Sequence, residues 1–344
     1  MASAGTPAQM KQIVVHKYGN NFREVTQLVQ VPVPTPGPRQ ALVRTSYASI
    51  NAADVLFAAG CYTPDRQPPM VAGFEGLGVV VDLGEGSQLR IGQNVFMRGF
   101  GGVFSEYAIV DDGNIEAIPV DSPDPIFLAL SGSGTTASLA LEKKGDLKKR
   151  ETVLITAAAG ATGQFAVQLA KLAGCHVIGT CSTDEKAAFL KSIGCDRPVV
   201  YTKESLDDVV TKEYPRGIDV VYESVGHEMF DTCLKHLAPF GRMLDSFRGS
   251  TTSLPVSSLA LKKSADIRGF FLPHYFSEVS EHIPKLQQLV ASGQLKVEVD
   301  NGKNSDRGPF KGIESVYNGI DYMYSKQNTG KIVIKIGPSS VKSN

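Results

Sequence analysis

The stretch Val153-Leu-Ile-Thr-Ala-Ala-Ala-Gly160-Ala-Thr-Gly163-Gln-Phe-Ala-Val-Gln-Leu-Ala-Lys171 decides the fold of this chain. Val153 to Thr156 is a short branched run of the kind that forms a buried strand. A turn of small residues follows, and then a helix-length segment. The spacing is A-x-G-x-x-G, with Ala158 at the first glycine position. Gly160 lets the backbone approach a pyrophosphate, and Gly163 lets the helix pack close to the strand. The helix N-terminus offers N–H groups and the positive end of its dipole. Gly160, Ala161, Thr162, Gly163 and Gln164 are therefore expected to hold the phosphates of a dinucleotide. A tight strand-to-helix turn without a ligand is the alternative. The strand-like run that follows, His176 to Gly179, favours the dinucleotide.

Outward from this motif, short strand candidates alternate with helix-length segments. Val153–Thr156, His176–Gly179, Pro198–Tyr201, Asp219–Tyr222 and Arg242–Ser246 are the strands, with helices such as Asp184–Ile193 and Glu228–Leu237 between them. Such alternation predicts a doubly wound parallel sheet. The residues before about 130 read differently. Runs such as Ala41–Tyr47 and Leu77–Asp82 are punctuated by Pro and Gly, as in Val31-Pro-Val-Pro-Thr-Pro-Gly-Pro38, and predict a mainly β region. From about residue 300 a helix (Gly312 to Met323) and a strand (Lys331 to Ile336) are expected, the strand returning to the first region.

The end of the second strand candidate bears on the cofactor. NAD sites place an acid about 20 residues after the glycines, on the ribose 2′-hydroxyl. Here the strand ends Gly179-Thr-Cys-Ser182. Asp184 and Glu185 sit where a helix cap and first turn are expected. Ser182 and Lys186, with the Tyr201 hydroxyl, could instead hold a 2′-phosphate. A missing acid and an added cation both point to NADPH, although Lys186 read alone could be a solvated helix lysine.

Composition narrows the partners. Lys+Arg and Asp+Glu both number 35 in 344 residues, which argues against nucleic acid or an anionic membrane. The five cysteines are scattered and form no CxxC pair, as expected of reduced intracellular thiols. No apolar run is long enough for a bilayer, and the N-terminal residues show no secretory pattern.

Ser49-Ile-Asn-Ala-Ala-Asp54, Gly60-Cys-Tyr62, Gly73-Phe-Glu-Gly76, Phe104-Ser-Glu-Tyr107, Ser133-Gly-Thr-Thr-Ala137 and Asn328-Thr-Gly-Lys-Ile332, with the glycine motif, carry a further signal. Together they resemble the zinc-independent medium-chain dehydrogenase/reductases of the quinone oxidoreductase and enone reductase type. Val220–Gly226, Gly269–Tyr275 and Asp321–Gly330 bring the chain nearer the prostaglandin reductase branch.

The resemblance implies a GroES-like β-barrel domain (residues 1–130 and 300–344), a Rossmann NADP(H)-binding domain (131–299), a cleft between them for cofactor and substrate, and a homodimer. It implies NADPH-dependent reduction of an enone C=C bond, with 15-oxoprostaglandins as the substrate type. Quinone reduction, or a non-enzymatic crystallin-like NADPH binder, remains the alternative. Tyr62, Tyr275 and Asn51 match pocket residues. Thr136, Gly226, Phe270, Phe271, Leu272 and Asn328 match cofactor-contacting positions. Taken alone, the tyrosines could equally cap a core, and Phe270 and Phe271 could fill one.

Zinc-dependent relatives hold the metal with a Cys, the His of G-H-E and a second Cys. Those positions read Asn51, Phe74 and Ser131-Gly132 here, and no Cys lies between Gly86 and Phe104. Zinc requires several converging N, S or O ligands. No metal is therefore expected, and Glu75 reads as a scaffold residue in a glycine-framed turn. The tail Val341-Lys-Ser-Asn344 stops short of an S-K-L address, so the cytoplasm is expected, with the peroxisome as alternative.

Overall fold

The computed structural model describes residues 6–62, 65–118, 124–246 and 256–337. It divides into two compact units, Met1–Ala129 with Val299–Asn344, and Leu130–Glu298. No helix among the described residues is long and apolar enough to cross a membrane.

The central unit is built on a six-stranded parallel sheet. Its strands in chain order are Thr152–Ile155, His176–Cys181, Arg197–Val200, Ile218–Glu223, Leu237–Asp245 and Asp266–Gly269. Their spatial order is third, second, first, fourth, fifth, sixth. This is the dinucleotide-binding arrangement, whose crevice opens where the order reverses beside the first strand. Strand interiors are apolar because helices cover both faces. Val153, Leu154, Ile155, Val177, Ile178 and Val221 have no exposed surface. The fifth strand begins at Leu237, five residues before the expected Arg242, and its pairing with the fourth shifts register between Ile218 and Val220.

The other unit carries a seven-stranded sheet and a three-stranded antiparallel sheet. Gln40–Ser49 is the hub of the larger one, pairing with Glu75–Leu83, Tyr107–Asp111 and Lys331–Lys335. The last of these brings the end of the chain back into the first region. Between the strands a core of Phe22, Phe57, Phe104, Phe310, Ile13, Val80 and Ile334 is closed to solvent. Each such side chain stabilises the fold by about 1.5–3 kcal/mol through burial.

Several local boundaries differ from expectation. Glu75 is not in a turn but opens the strand Glu75–Leu83. The turn precedes it: Gly73 has φ 94°, and a Cβ there would lie 2.4 Å from the Phe104 nitrogen, so only glycine fits. The helix after the second parallel strand is capped by Thr183 rather than Asp184. Thr183 is extended and accepts from the Lys186 N–H. The C-terminal helix starts at Ser315, not Gly312, whose N–H serves the sheet by donating to the Lys335 carbonyl. Arg248 to Ser258, which the sequence offers as a loop shaping the substrate pocket, lies largely outside the described residues. Its end belongs to the helix Val256–Lys263.

Candidate active site

The glycine motif forms the turn between the first parallel strand and the helix Gly163–Leu172. Ala157 sits at φ 46°, and the Ala158 N–H donates to the Thr180 carbonyl, which fastens the turn to the second strand. A Cβ on Gly163 would lie 2.5 Å from the Ala157 oxygen and 2.7 Å from the Ala158 Cα. That crowding is why glycine stands there. A Cβ on Gly160 would meet only the Ala157 oxygen, at 3.1 Å, so Gly160 leaves one side of the turn open. The helix cap Thr162 makes no side-chain capping bond. An open, glycine-lined turn at a helix N-terminus suits a pyrophosphate. Ala161 belongs to the same turn. Gln164 is different: its amide is buried and pinned to the main chain of Glu298, donating at 3.0 Å and accepting at 2.8 Å. Its side chain is committed to that contact.

At the ends of the second and third strands lie Ser182, Lys186 and Tyr201. Lys186 is only 8% exposed, on the first turn of the helix Asp184–Ser192. The Thr202 hydroxyl donates to the Ser182 carbonyl at 2.8 Å. The Tyr201 N–H donates to the Cys181 carbonyl. Asp184, at the start of that helix, is ion-paired with Lys203. Lys203 was invisible to motif reasoning because it follows the third strand, outside any fingerprint.

Gly226 lies three residues past the fourth strand, which closes at Glu223. It caps the helix His227–Lys235. Glu223 shapes that turn. Its buried carboxylate accepts from the Val225 N–H at 2.8 Å and the Gly226 N–H at 3.0 Å. Burial raises its pKa, and those N–H groups oppose the rise. After the sixth strand, Phe270 is buried and stacks on Tyr275, centroids 5.1 Å apart at 14°. Phe271 is half-buried with its ring against His274, and Leu272 opens the short turn that carries Tyr275. The Thr136 hydroxyl donates to the Gly132 carbonyl at 2.8 Å.

In the other unit, Tyr62 packs in an aromatic cluster, 5.5 Å from Phe74 and 6.0 Å from Phe100. Phe57 meets Phe74 at 5.6 Å. Phe74 thus presents an apolar ring where zinc-type relatives carry histidine. Asn51 caps the helix Ala52–Ala58. Its amide oxygen accepts from Lys331 Nζ at 2.6 Å, and its NH₂ reaches Ser49 Oγ and Glu75 Oε2, each at 3.2 Å. Burial would raise the Glu75 carboxyl, but the Lys331 ammonium, Ser49 and Asn51 hold it below its usual value. Asp54 is fully buried and accepts from the Asn51 N–H at 2.7 Å and the Phe74 N–H at 3.1 Å. Burial pushes its pKa up to about 7. Asn328 Nδ2 donates to the Gly330 carbonyl at 3.3 Å. Lys331 carried no expected role. Its signal in the sequence is slight: a lysine heading the apolar run Lys331-Ile-Val-Ile.

The donor set does not fit zinc. Asn51 is consumed by Lys331, Ser49 and Glu75, and Phe74 offers no donor. Among the described residues no three His, Cys, Asp or Glu side chains gather closely enough to hold a metal ion. The turn of the parallel sheet does fit NADPH: Gly160 leaves one side open, and the helix after the second strand carries Lys186 on its first turn.

Comparison with known proteins gives the same outline. Residues 37–120 match the alcohol dehydrogenase GroES-like domain, and residues 161–291 match the zinc-binding dehydrogenase family. Mouse (Mus musculus) prostaglandin reductase-3 is 47% identical over 98% of this chain and 92% of its own length. A probable quinone oxidoreductase of Leishmania amazonensis is 38% identical, covering 96% of this chain and 99% of the relative. The crystal structure of Escherichia coli quinone oxidoreductase complexed with NADPH superposes with a TM-score of 0.83 at 26% identity, covering 94% of this chain and 99% of that one. The chain belongs to the zinc-binding dehydrogenase family, in its prostaglandin reductase and quinone oxidoreductase line.

Proposed function

We propose that this protein is an NADPH-dependent reductase of the C=C bond in α,β-unsaturated ketones, working without zinc. The observation that carries the reading is the turn Ala157–Gly163, open at Gly160 and closed at Gly163, in a chain so similar to a prostaglandin reductase. The chemistry NADPH supplies when bound is a hydride for the β-carbon of the enone. The protein then has two tasks: to orient the enone and to place a donor where negative charge appears on its carbonyl oxygen.

Gly160 to Gly163 hold the pyrophosphate, with Gly226 beside them. Ser182, Lys186 and Tyr201 hold the 2′-phosphate. Thr136, Asn328 and the backbone of Phe270 to Leu272 meet the nicotinamide end. Tyr62 and Tyr275 carry the hydroxyl donors for the substrate oxygen. Asn51 supports the pocket from behind the Tyr62 arm, its amide engaged by Lys331, Ser49 and Glu75. The aromatic cluster of Tyr62, Phe74 and Phe100 suits a long apolar substrate such as a 15-oxoprostaglandin. The deciding experiment follows NADPH consumption at 340 nm, first with an enone and then with a simple quinone. Turnover on the enone supports the reading. A response to the quinone alone favours quinone reduction, and none to either favours a non-enzymatic NADPH binder.

Among the described residues the parallel sheet ends in the strand Asp266–Gly269, which has one strand neighbour there and bears the part-exposed Ile267. Pairing of two such edges would make a homodimer, which light scattering tests directly.

A further inference from the structure

Lys331 has no exposed side-chain surface, and its ammonium touches both the Asn51 oxygen and Glu75 Oε2. Glu75 Oε2 also accepts from Ser49 Oγ at 2.8 Å. A buried ion pair is seldom a net source of stability, since desolvation of both charges offsets their attraction. What it provides here is geometry. Lys331 follows directly on Asn328-Thr-Gly330, and the Thr329 N–H is held by Asp300 at 3.0 Å. Asn51 starts the helix Ala52–Ala58, which leads through Gly60 and Cys61 to Tyr62. The Gly60 and Cys61 N–H groups are fastened to the Phe57 and Leu56 carbonyls. Phe74 precedes Glu75 in the chain, and its N–H is held by Asp54 together with that of Asn51. Three segments far apart in sequence therefore meet at one ammonium.

We propose that Lys331 is a positioning residue that locks the Asn328 segment to the Asn51–Tyr62 arm and the Phe74–Glu75 strand, so that the Tyr62 hydroxyl is held ready for the substrate oxygen. The inference rests on the reading of Tyr62 and Asn328 given above and adds the group that sets them. Lys331 touches neither substrate nor cofactor. Its effect falls on turnover, because a misplaced donor is missed most when charge develops.

The test replaces the pair as a pair, Lys331→Met with Glu75→Gln, which leaves no buried charge unpaired. Hydrogen exchange followed by mass spectrometry reads residues 51–62 and 72–78 without any need for activity. Steady-state kinetics with an enone reads turnover. Exchange in those two segments should quicken about 10-fold or more while residues 152–172 stay as in the parent. Turnover should fall about 10-fold with the Michaelis constant for NADPH within about twofold. Unchanged exchange in the two segments overturns the proposal. So does faster exchange with full turnover, and so does an equal loosening of the whole unit, the mark of a merely structural pair. Should the double variant not fold, Lys331→Gln with Glu75→Gln, which again leaves no buried charge unpaired and keeps polar partners for Asn51 and Ser49, is judged by the same criteria. Absence of enone turnover in the parent protein would sink the proposed function, and the exchange measurement would still decide this inference.

Discussion

The ammonium of Lys331 stands 2.8 Å from the carboxylate of Glu75, across 256 positions of sequence, with the lysine wholly enclosed. The pair joins the returning C-terminal strand to the strand behind Phe74. Removing only one partner would leave a buried charge uncompensated, at a cost of about 3–5 kcal/mol.

Gly163→Ala should both destabilise the protein and impair cofactor binding. The added methyl would meet backbone at 2.5 and 2.7 Å, which cannot be relieved by a rotamer change. Overpacking of this kind costs about 1–3 kcal/mol. Gly160→Ala faces a single contact at 3.1 Å and should fold nearly as well. Thermal melts of both variants with and without NADPH check this, and equal melting temperatures for the two apo variants would contradict it.

Lys186→Ala should weaken NADPH far more than NADH. Loss of one charge-assisted contact costs about 1.5–3 kcal/mol, or roughly 10- to 100-fold in affinity. Titration of cofactor fluorescence measures both constants. A parent protein that binds the two cofactors equally would remove the basis for the expectation.

Tyr62→Phe and Tyr275→Phe keep their rings against Phe74 and Phe270 while deleting the hydroxyls. At least one should lower turnover on an enone by about tenfold or more, as lost donors to developing oxyanions do. Weaker NADPH binding in Tyr275→Phe would show that this hydroxyl serves the nicotinamide ribose instead of the substrate oxygen. Full turnover in the double variant would show that neither donates to the enolate.

Asp54 gives stability a pH dependence with a defined sign. Its carboxyl titrates at about 7 in the folded state against 3.8 for an unhindered one, chiefly through burial. A folded pKa raised above the unfolded value favours the protonated fold. That contribution is complete below about 4 and is lost as pH rises through about 7, by an amount on the order of a few kcal/mol. Asp54→Asn should be less stable in acid, since it gives up one of two N–H acceptors, but should show a flatter decline from pH 5 to 8. Parallel stability curves for parent and variant, measured by urea unfolding, would refute the assignment.

Purified protein should contain no stoichiometric zinc, and a chelator should leave turnover unchanged. Elemental analysis decides. One zinc bound per chain would require ligands other than Asn51 and Phe74.

The parallel sheet and its glycine turn were legible in the sequence because their signals are local. Val153 to Thr156, the spacing of Gly160 and Gly163, and the alternation of short apolar runs with helix-length segments each act within a few residues. Strand and helix are set by backbone preference and by which face is apolar. The absence of zinc ligands was equally plain, since ligand chemistry is a property of residue type. Boundaries moved where a cap decided them, as when Thr183 rather than Asp184 accepted the Lys186 N–H.

Only the tertiary structure decided what Glu75, Asp54, Gln164 and Lys331 do. Each is a polar side chain taken out of water, and a buried polar group must find partners wherever the fold supplies them. Those partners lie hundreds of residues away for Lys331 and Glu75, and 134 residues away for Gln164 and Glu298. No pattern of spacing encodes such distances. The sequence by itself determined that a strand, a glycine turn and a helix would follow one another, and that Asn51 and Phe74 stand where zinc-type relatives carry ligands. The closing of the chain, which buries an ammonium between Asn51 and Glu75, determined which way the Asn51 amide points.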